Sequence, residues 1–178
     1  IKKYIKKDHS IIQKWNELGY SPLHIAAQQG HKDVVQYLIE NNADINKIGK
    51  NFWTPLCLAA QQGHVEIVKC LIENKADINK ADYRDATPLF FAVQPGHDEI
   101  VKYLLNSGAD INQVDNNGWT PLLIAIQQGY TDIIKYLVNN GANVNHSCLE
   151  GRTPLYTAAQ QGQIEAVKCL VKNGADIN

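Results

Sequence analysis

The sequence predicts an all-α solenoid of stacked helix-turn-helix units, each followed by an extended turn. Two repeated motifs indicate this fold class. Thr-Pro-Leu, or a one-residue variant of it, begins at residues 21, 54, 87, 120 and 153, so every interval is 33 residues. Asp-Ile-Asn, or a close variant, begins at residues 44, 77, 110, 143 and 176 with the same interval. A fixed period of this length is typical of one supersecondary unit repeated in a linear array.

The second unit shows how this pattern produces two helices. Thr54 can cap a helix with its hydroxyl, and Pro55 occupies the first helical position, where its missing N–H breaks no hydrogen bond. Gly63 ends that helix because glycine adopts a left-handed backbone easily. Apolar residues at helical spacing then predict a second helix: Ile67, Val68, Leu71 and Ile72. Each helix has only two to three turns, so stacking between units must stabilise it.

Some positions depart from this pattern where glycine is expected. Lys75 and Asn42 stand where other units end their second helix with Gly108, Gly141 or Gly174. Phe52 and Asp85 likewise replace a turn glycine. A left-handed backbone costs a side-chain-bearing residue about 1 kcal/mol. We therefore predict local strain at these positions and a weaker second unit.

Thr-Pro-Leu-x-x-Ala-Ala-x-x-Gly-His, followed by Ile-Val-Lys-x-Leu and Ala-Asp-Ile-Asn, resembles the ankyrin repeat over residues 16–178. The resemblance implies an ankyrin-repeat solenoid whose turns project as β-hairpin finger loops and line a concave face together with the first helices. Residues 1–178 are then a single array. Residues 1–15 are a degraded partial repeat, followed by repeats 1 to 5 at 16–48, 49–81, 82–114, 115–147 and 148–178.

Composition argues against several classes of partner. The net charge is −1 and the Lys and Arg residues are scattered, which argues against nucleic-acid binding. No apolar run approaches the roughly 18 residues of a membrane span, so no membrane insertion is expected in this segment. The four cysteines lack the density of a disulfide scaffold, which favours a cytoplasmic or nuclear location. We expect a monomer, cut from a longer protein because the chain contains no Met.

The positions that vary between repeats are the candidates for partner binding. They lie mainly in the fingers: Glu17, Leu18, Tyr20, Lys50, Asn51, Trp53, Tyr83, Arg84, Ala86, Asn116, Asn117, Trp119, Leu149, Glu150 and Arg152. Trp, Tyr and Arg are favoured at binding hot spots. From this set, with two residues at the ends of first helices, we predict the partner-binding residues Tyr20, Lys50, Trp53, Tyr83, Arg84, Asn117, Trp119, Arg152, Gln62 and Gln128.

Two of these groups have an alternative structural interpretation. Trp53 and Trp119 occupy equivalent positions two repeats apart, and either one could pack against the next finger instead of contacting a partner. Glutamines recur at the ends of the first helices, as in Gln61-Gln62 and Gln127-Gln128. They could offer amides to a peptide backbone, or they could hydrogen-bond to one another.

Residues with catalytic or metal-binding chemistry are expected to have framework roles. Cys57, His64 and Cys70 share one repeat but form no Cys-x-x-Cys pair. His64 recurs in phase with His31 and His97 after the glycine that ends each first helix. No phosphate-binding glycine loop and no convergent carboxylate pair is present in the sequence. We therefore expect no catalytic residue, no metal and no cofactor.

The resemblance also implies a modification. In animal ankyrin repeats the Asn of the Asp-Ile-Asn motif can be β-hydroxylated, and the matching residues here are Asn46, Asn79, Asn112 and Asn145. Their alternative role is to stabilise a turn through local hydrogen bonds.

Taken together, these features predict a non-enzymatic protein–protein interaction module that binds a partner protein or an extended peptide on its concave face. The alternative is a spacer or regulatory arm of a larger intracellular protein, such as the cytosolic region of a channel or the targeting domain of an effector.

Overall fold

A computed structural model describes Asn16 and residues 19–178, in which all regular structure is helical. The helices are α1 (Pro22–Gln28), α2 (Lys32–Glu40), α3 (Pro55–Gln62), α4 (Val65–Glu73), α5 (Pro88–Val93), α6 (Asp98–Asn106), α7 (Pro121–Gln128), α8 (Thr131–Asn139), α9 (Pro154–Gln160) and α10 (Ile164–Lys172). A short 3₁₀ turn covers Lys50–Phe52. No helix in this described part is long and apolar enough to cross a membrane.

The all-α prediction is confirmed, as are the predicted ends of the first helix in the second unit. Thr54 caps α3 by accepting a hydrogen bond from the backbone N–H of Cys57 at 3.2 Å. Pro55 is the first residue of α3, and Gly63 ends the helix with a left-handed backbone at φ 78°. Thr120 and Thr153 cap α7 and α9 in the same way.

The helices stack in two rows. Each first helix contacts its own second helix and the first helix of the next repeat, while successive second helices also contact each other. One hydrophobic core runs through all five repeats, and its members are buried by neighbouring units: Leu56, Leu71, Leu89, Leu104, Leu122 and Leu137 are all fully buried. Small Ala59 and Ala60, also fully buried, permit the close approach of α3 to its neighbours. Stacking therefore buries the apolar face that no single short helix pair could bury alone.

The fingers are compact hydrogen-bonded turns, and no residue in the described part of the chain forms an extended strand. In the finger of repeat 3, the N–H of Asp82 donates to the carbonyl of Ala86 at 2.9 Å, which closes a hairpin-like turn. The N–H of Asn116 in turn donates to the carbonyl of Arg84 at 2.9 Å, so neighbouring fingers are joined directly. The fingers consequently form a connected row beside the first helices.

The residues that replace glycine at these positions have left-handed backbones, as predicted. The φ angles are 63° at Asn42 and 71° at Lys75, where second helices end, and 62° at Phe52 and 60° at Asp85, in the fingers. The period of the repeat thus imposes the backbone conformation even where the side chain disfavours it. The degraded partial repeat predicted at residues 1–15, and the finger residues Glu17 and Leu18, lie outside the described residues.

Candidate functional site

A shallow depression of about 290 Å³ lies between the fingers and the first helices of repeats 3 and 4. We call it the finger–helix depression. Its finger side is formed by Arg84, Ala86, Asp115, Asn117 and Trp119, and its helix side by Phe90, Phe91, Gln94, Ile124, Gln127 and Gln128. It combines apolar surface with amide, guanidinium and carboxylate groups, which is typical of sites that bind polypeptide segments.

Four predicted partner-binding residues line this depression: Arg84, Asn117, Trp119 and Gln128. The other six do not line it. Tyr20 packs at a ring-centroid distance of 5.4 Å from His24. Tyr83 is 53% exposed, with the guanidinium of Arg84 5.5 Å from its ring centroid. Lys50 and Gln62 are exposed, while Trp53 and Arg152 are half-buried.

Asp82 organises the finger of repeat 3. Its side chain is fully buried, and Oδ1 accepts hydrogen bonds from the backbone N–H groups of Arg84 at 2.8 Å and Ala86 at 3.0 Å. Its Oδ2 accepts from Nε of Arg84 at 3.2 Å and from Nε1 of Trp53 at 3.3 Å. These four donors satisfy a carboxylate that would otherwise be costly to bury. Asp82 thereby holds Arg84 in place and joins the finger of repeat 3 to repeat 2.

Trp53 and Trp119 occupy equivalent positions but make different contacts. The indole of Trp53 donates to Asp82 and packs edge-on against Phe91, with ring centroids 4.6 Å apart. For Trp119, the residue equivalent to Asp82 is Cys148, whose side chain offers no carboxylate. Across the described residues, Nε1 of Trp119 has no hydrogen-bond partner. Both indoles therefore contact the next repeat, Trp53 through Asp82 and Phe91 and Trp119 through Arg152, but the Nε1 donor of Trp119 is left without a partner in the described part of the chain.

Arg152 covers part of the Trp119 ring. The central carbon of its guanidinium lies 5.3 Å from the ring centroid, and the same side chain forms an ion pair with Glu150 of its own finger. A guanidinium over an indole is favourable because the face of the ring carries negative potential. Arg152 thus acts as a support for Trp119 and does not line the depression itself.

Several residues of the depression were not predicted: Asp115, Phe90, Phe91, Gln94, Ile124 and Gln127. The prediction concentrated on positions in the fingers and at helix ends. A signal was nevertheless present, because Phe90 and Phe91 replace Cys57 and Leu58 of the previous repeat with larger aromatic side chains. These two adjacent phenylalanines distinguish the first helix of repeat 3 from the first helices of the other repeats.

Comparison with known protein families agrees with this architecture. A profile of three consecutive ankyrin repeats matches residues 46–115 and 108–178, and a profile of a single ankyrin repeat matches residues 18–50. The chain belongs to the ankyrin repeat family. No curated protein matches it significantly. Ankyrin repeats generally mediate protein–protein interactions and are known as non-enzymatic modules.

The Asn residues of the ankyrin Asp-Ile-Asn motif join successive repeats. Oδ1 of Asn79 accepts the backbone N–H of Asp110 at 2.9 Å, and its Nδ2 donates to the carbonyl of Gly108 at 3.3 Å. The same two inter-repeat bonds are made by the equivalent residues Asn46, Asn112 and Asn145. All four side chains are exposed apart from these bonds. Their β-hydroxylation, implied by the family resemblance, stays a prediction that an intact-mass measurement would check.

In repeats 2 and 3 the histidine after the ankyrin glycine that ends the first helix makes a further inter-repeat bond. The Nε2 atoms of His64 and His97 lie 3.0 Å and 3.1 Å from the carbonyl oxygens of Gln28 and Gln61 in the preceding repeat. These bonds confirm the framework role predicted for His64 and His97. The side chains of Gln62, Gln94, Gln127 and Gln128 make no hydrogen bond within the described part of the chain, so these amides do not bond to one another.

The cysteines in this ankyrin array are thiols with packing roles. Cys57 is fully buried, and its Sγ accepts a weak hydrogen bond from the hydroxyl of Thr54 and donates one to the carbonyl of Lys80. Burial raises the pKa of its thiol to about 11. Cys70 donates from Sγ to Oε1 of Gln36 at 3.1 Å, and burial raises its pKa as well. Raised pKa values suppress the reactive thiolate. Within the described residues, no three His, Cys, Asp or Glu side chains are grouped as metal ligands.

Proposed function

We propose that this ankyrin array binds another protein by accommodating an extended segment of it in the finger–helix depression. One observation carries the proposal: Trp119 lines the depression together with Phe91 and Ile124, and its Nε1 is a donor without a partner in the described part of the chain. Trp that combines accessible apolar area with an unused donor is typical of binding hot spots.

The surrounding amides support an extended segment as the bound form. Gln94, Gln127 and Gln128 line the depression, and each offers both a donor and an acceptor in its side chain. An extended backbone needs such groups because its N–H and C=O groups leave water on binding. Two of these residues lie on α7 and one follows α5, so the amides are spread across two repeats.

The array presents this surface in a pre-ordered form. Asp82 holds the finger of repeat 3 through four hydrogen bonds, and the N–H of Asn116 joins that finger to the next one. Little conformational entropy is therefore lost on this side of the complex. We propose that the array acts as a monomer without catalytic activity. Its free, mostly buried cysteines support a reducing location, the cytoplasm or nucleus.

The proposal is tested by selecting a displayed library of random 12-residue peptides on the immobilised protein and measuring the dissociation constants of enriched peptides. Trp119→Ala is expected to weaken binding at least tenfold, about 1.4 kcal/mol. Ile164→Ala is the control, because it removes a 61% exposed apolar side chain outside the depression. Circular dichroism verifies that both variants are folded.

Enriched peptides whose affinity is the same for Trp119→Ala and the wild-type protein would contradict the proposed site. Failure to enrich any peptide, together with no Trp119-dependent capture of a cellular protein, would favour the spacer or regulatory arm instead.

A further inference from the structure

Two charged groups in the finger–helix depression have unused bonding capacity. We propose that the segment bound there carries an Asp or Glu side chain and, two residues along, a Lys or Arg side chain. This inference rests on the proposed function, since it specifies the chemistry of the segment that the depression accepts. The acidic side chain would bind Arg84, and the basic side chain would bind Asp115.

Arg84 is a positioned guanidinium with free donors. Its Nε is held by Oδ2 of Asp82 at 3.2 Å, while its two terminal nitrogens have no hydrogen-bond partner among residues 19–178. The side chain is 49% exposed and lines the depression. A guanidinium whose orientation is already set loses little entropy when its remaining N–H groups bind a carboxylate. Arg84 is therefore prepared to receive a planar anion.

Asp115 is the equivalent of Asp82 in the next finger, but its charge is not neutralised. Its Oδ1 accepts the backbone N–H groups of Asn117 at 2.9 Å and Trp119 at 2.8 Å. Its Oδ2 has only a long contact, 3.4 Å, with Nδ2 of Asn117. No Lys or Arg in the described part of the chain lies within ion-pair distance of it. An unpaired carboxylate in a partly enclosed depression favours a cation from the ligand.

The connection between the two fingers brings Arg84 and Asp115 to the same depression. The N–H of Asn116, next to Asp115, donates to the carbonyl of Arg84 at 2.9 Å, so the two backbones are neighbours. Side chains two residues apart on an extended ligand segment share one face and lie about 6.6 Å apart. Alternate ligand residues therefore match the two fingers better than adjacent ones, which point to opposite faces.

The same pair of charges argues against a phosphate as the anion. A phosphate carries nearly two negative charges, and Asp115 in the same depression would repel it more strongly than it would repel a carboxylate. The guanidinium of Arg84 already balances the buried Asp82, so a second negative charge on the ligand would have no balancing cation. The depression is thus better matched to a zwitterionic pair of side chains than to a phosphorylated residue.

The test repeats the random 12-residue peptide selection on the wild-type protein, on Arg84→Gln and on Asp115→Asn. The wild-type protein is expected to enrich an acidic residue two positions from a basic one. Arg84→Gln should lose the acidic preference and Asp115→Asn the basic preference, and each should bind the wild-type consensus about five- to tenfold more weakly. Asn at position 115 still accepts the finger N–H groups, so the turn is retained.

Matched control variants remove one positive or one negative charge outside the depression. Lys135→Gln and Asp132→Asn alter exposed residues on or beside the first turns of α8, away from the depression, and should leave the consensus and affinity unchanged. Arg84→Lys keeps the positive charge without the guanidinium fork, and thermal unfolding shows whether Arg84→Gln remains folded. A synthetic consensus peptide with phosphoserine in place of the acidic residue should bind more weakly than the parent.

Each alternative result has a distinct meaning. If enriched peptides depend on Trp119 but keep the same charges with Arg84→Gln and Asp115→Asn, the charge inference is wrong while the proposed function stands. Tighter binding of the phosphoserine peptide would overturn the assignment of a carboxylate. Peptides that depend on none of Trp119, Arg84 and Asp115 would overturn both.

Discussion

Nε1 of Trp53 donates a hydrogen bond to Oδ2 of Asp82 at 3.3 Å, across the boundary between repeats 2 and 3. Because Asp82 also holds Arg84, this bond connects the packing of one repeat to the finger–helix depression beside the next. Trp119, at the equivalent position two repeats later, has Cys148 in place of that carboxylate. The same position in the repeat thus has a bonded indole N–H in repeat 2 and an unbonded one among the described residues in repeat 4.

We predict that Trp53→Ala lowers the free energy of unfolding by about 2–4 kcal/mol, since it removes both the bond to Asp82 and the contact with Phe91. Trp119→Ala should cost less, about 1–2 kcal/mol, because it leaves no buried acceptor unpaired. Urea denaturation followed by circular dichroism measures both. Trp53→Phe keeps an aromatic ring against Phe91 and isolates the lost donor. Equal losses for the two alanine variants would contradict this division of roles.

Asn79→Ala is predicted to destabilise the array by about 1–2 kcal/mol, because two hydrogen bonds between repeats 2 and 3 are lost. Asn178→Ala supplies the control. Asn178 occupies the same motif position, but its side chain makes no hydrogen bond in the described structure, so its replacement should stay within about 0.5 kcal/mol. Denaturation midpoints of the two variants test the difference, and a loss of similar size at both positions would refute the role of the inter-repeat bonds.

Gly63→Ala should destabilise more than Gly162→Ala, although both glycines end first helices with left-handed backbones. A Cβ at Gly63 would lie 2.7 Å from a ring carbon of His97, and moving that ring breaks its bond to Gln61. A Cβ at Gly162 meets nothing within 4 Å. At either site, alanine in the left-handed conformation should lower the free energy of unfolding by about 1 kcal/mol. Displacement of the His97 ring should lower the stability of the Gly63→Ala variant by about a further 1 kcal/mol. Thermal unfolding of the two variants measures this difference.

His24 is predicted to make stability depend on pH. It is fully buried, and its Nδ1 accepts hydrogen bonds from the N–H of Ser21 at 3.2 Å and from its hydroxyl at 2.7 Å. Its Nε2 lies 3.0 Å from the carbonyl of Trp53, so the neutral ring carrying its proton on Nε2 satisfies both sides. Burial lowers the pKa of His24 below its ordinary value of 6.5, although hydrogen bonds to backbone carbonyls oppose the shift.

Because the folded pKa of His24 is lowered, the unfolded chain binds its proton first as the pH falls. The stability contributed by neutral His24 is thus complete above pH 6.5 and is lost as the pH falls below it. In the His24→Gln variant, the free energy of unfolding should decrease less between about pH 7 and pH 5 than in the wild-type protein. Loss of the hydrogen bonds of His24 would lower stability equally across this range. Unfolding free energies of both proteins across this range test the prediction, and parallel curves would contradict it.

The repeat itself could be predicted from sequence because its determinants are local. Thr54, Pro55 and Gly63 define where α3 begins and ends, and the left-handed residues Lys75 and Phe52 could be located from the positions of glycine in other repeats. The residues of the depression were predicted only in part. Arg84, Asn117 and Trp119 were found because they vary between repeats, and Gln128 because glutamines recur at the ends of the first helices, whereas Asp115 and Phe91 were not selected.

The 33-residue interval was sufficient for the fold class and the helix ends, since capping, glycine placement and apolar spacing act within a few residues of each other. The separate roles of Trp53 and Trp119 came only from the tertiary structure. The residue 29 positions further along the chain is a buried carboxylate, Asp82, for Trp53 but a thiol, Cys148, for Trp119. Only the stacking of one repeat on the next brings those partners together and decides which donor is left available.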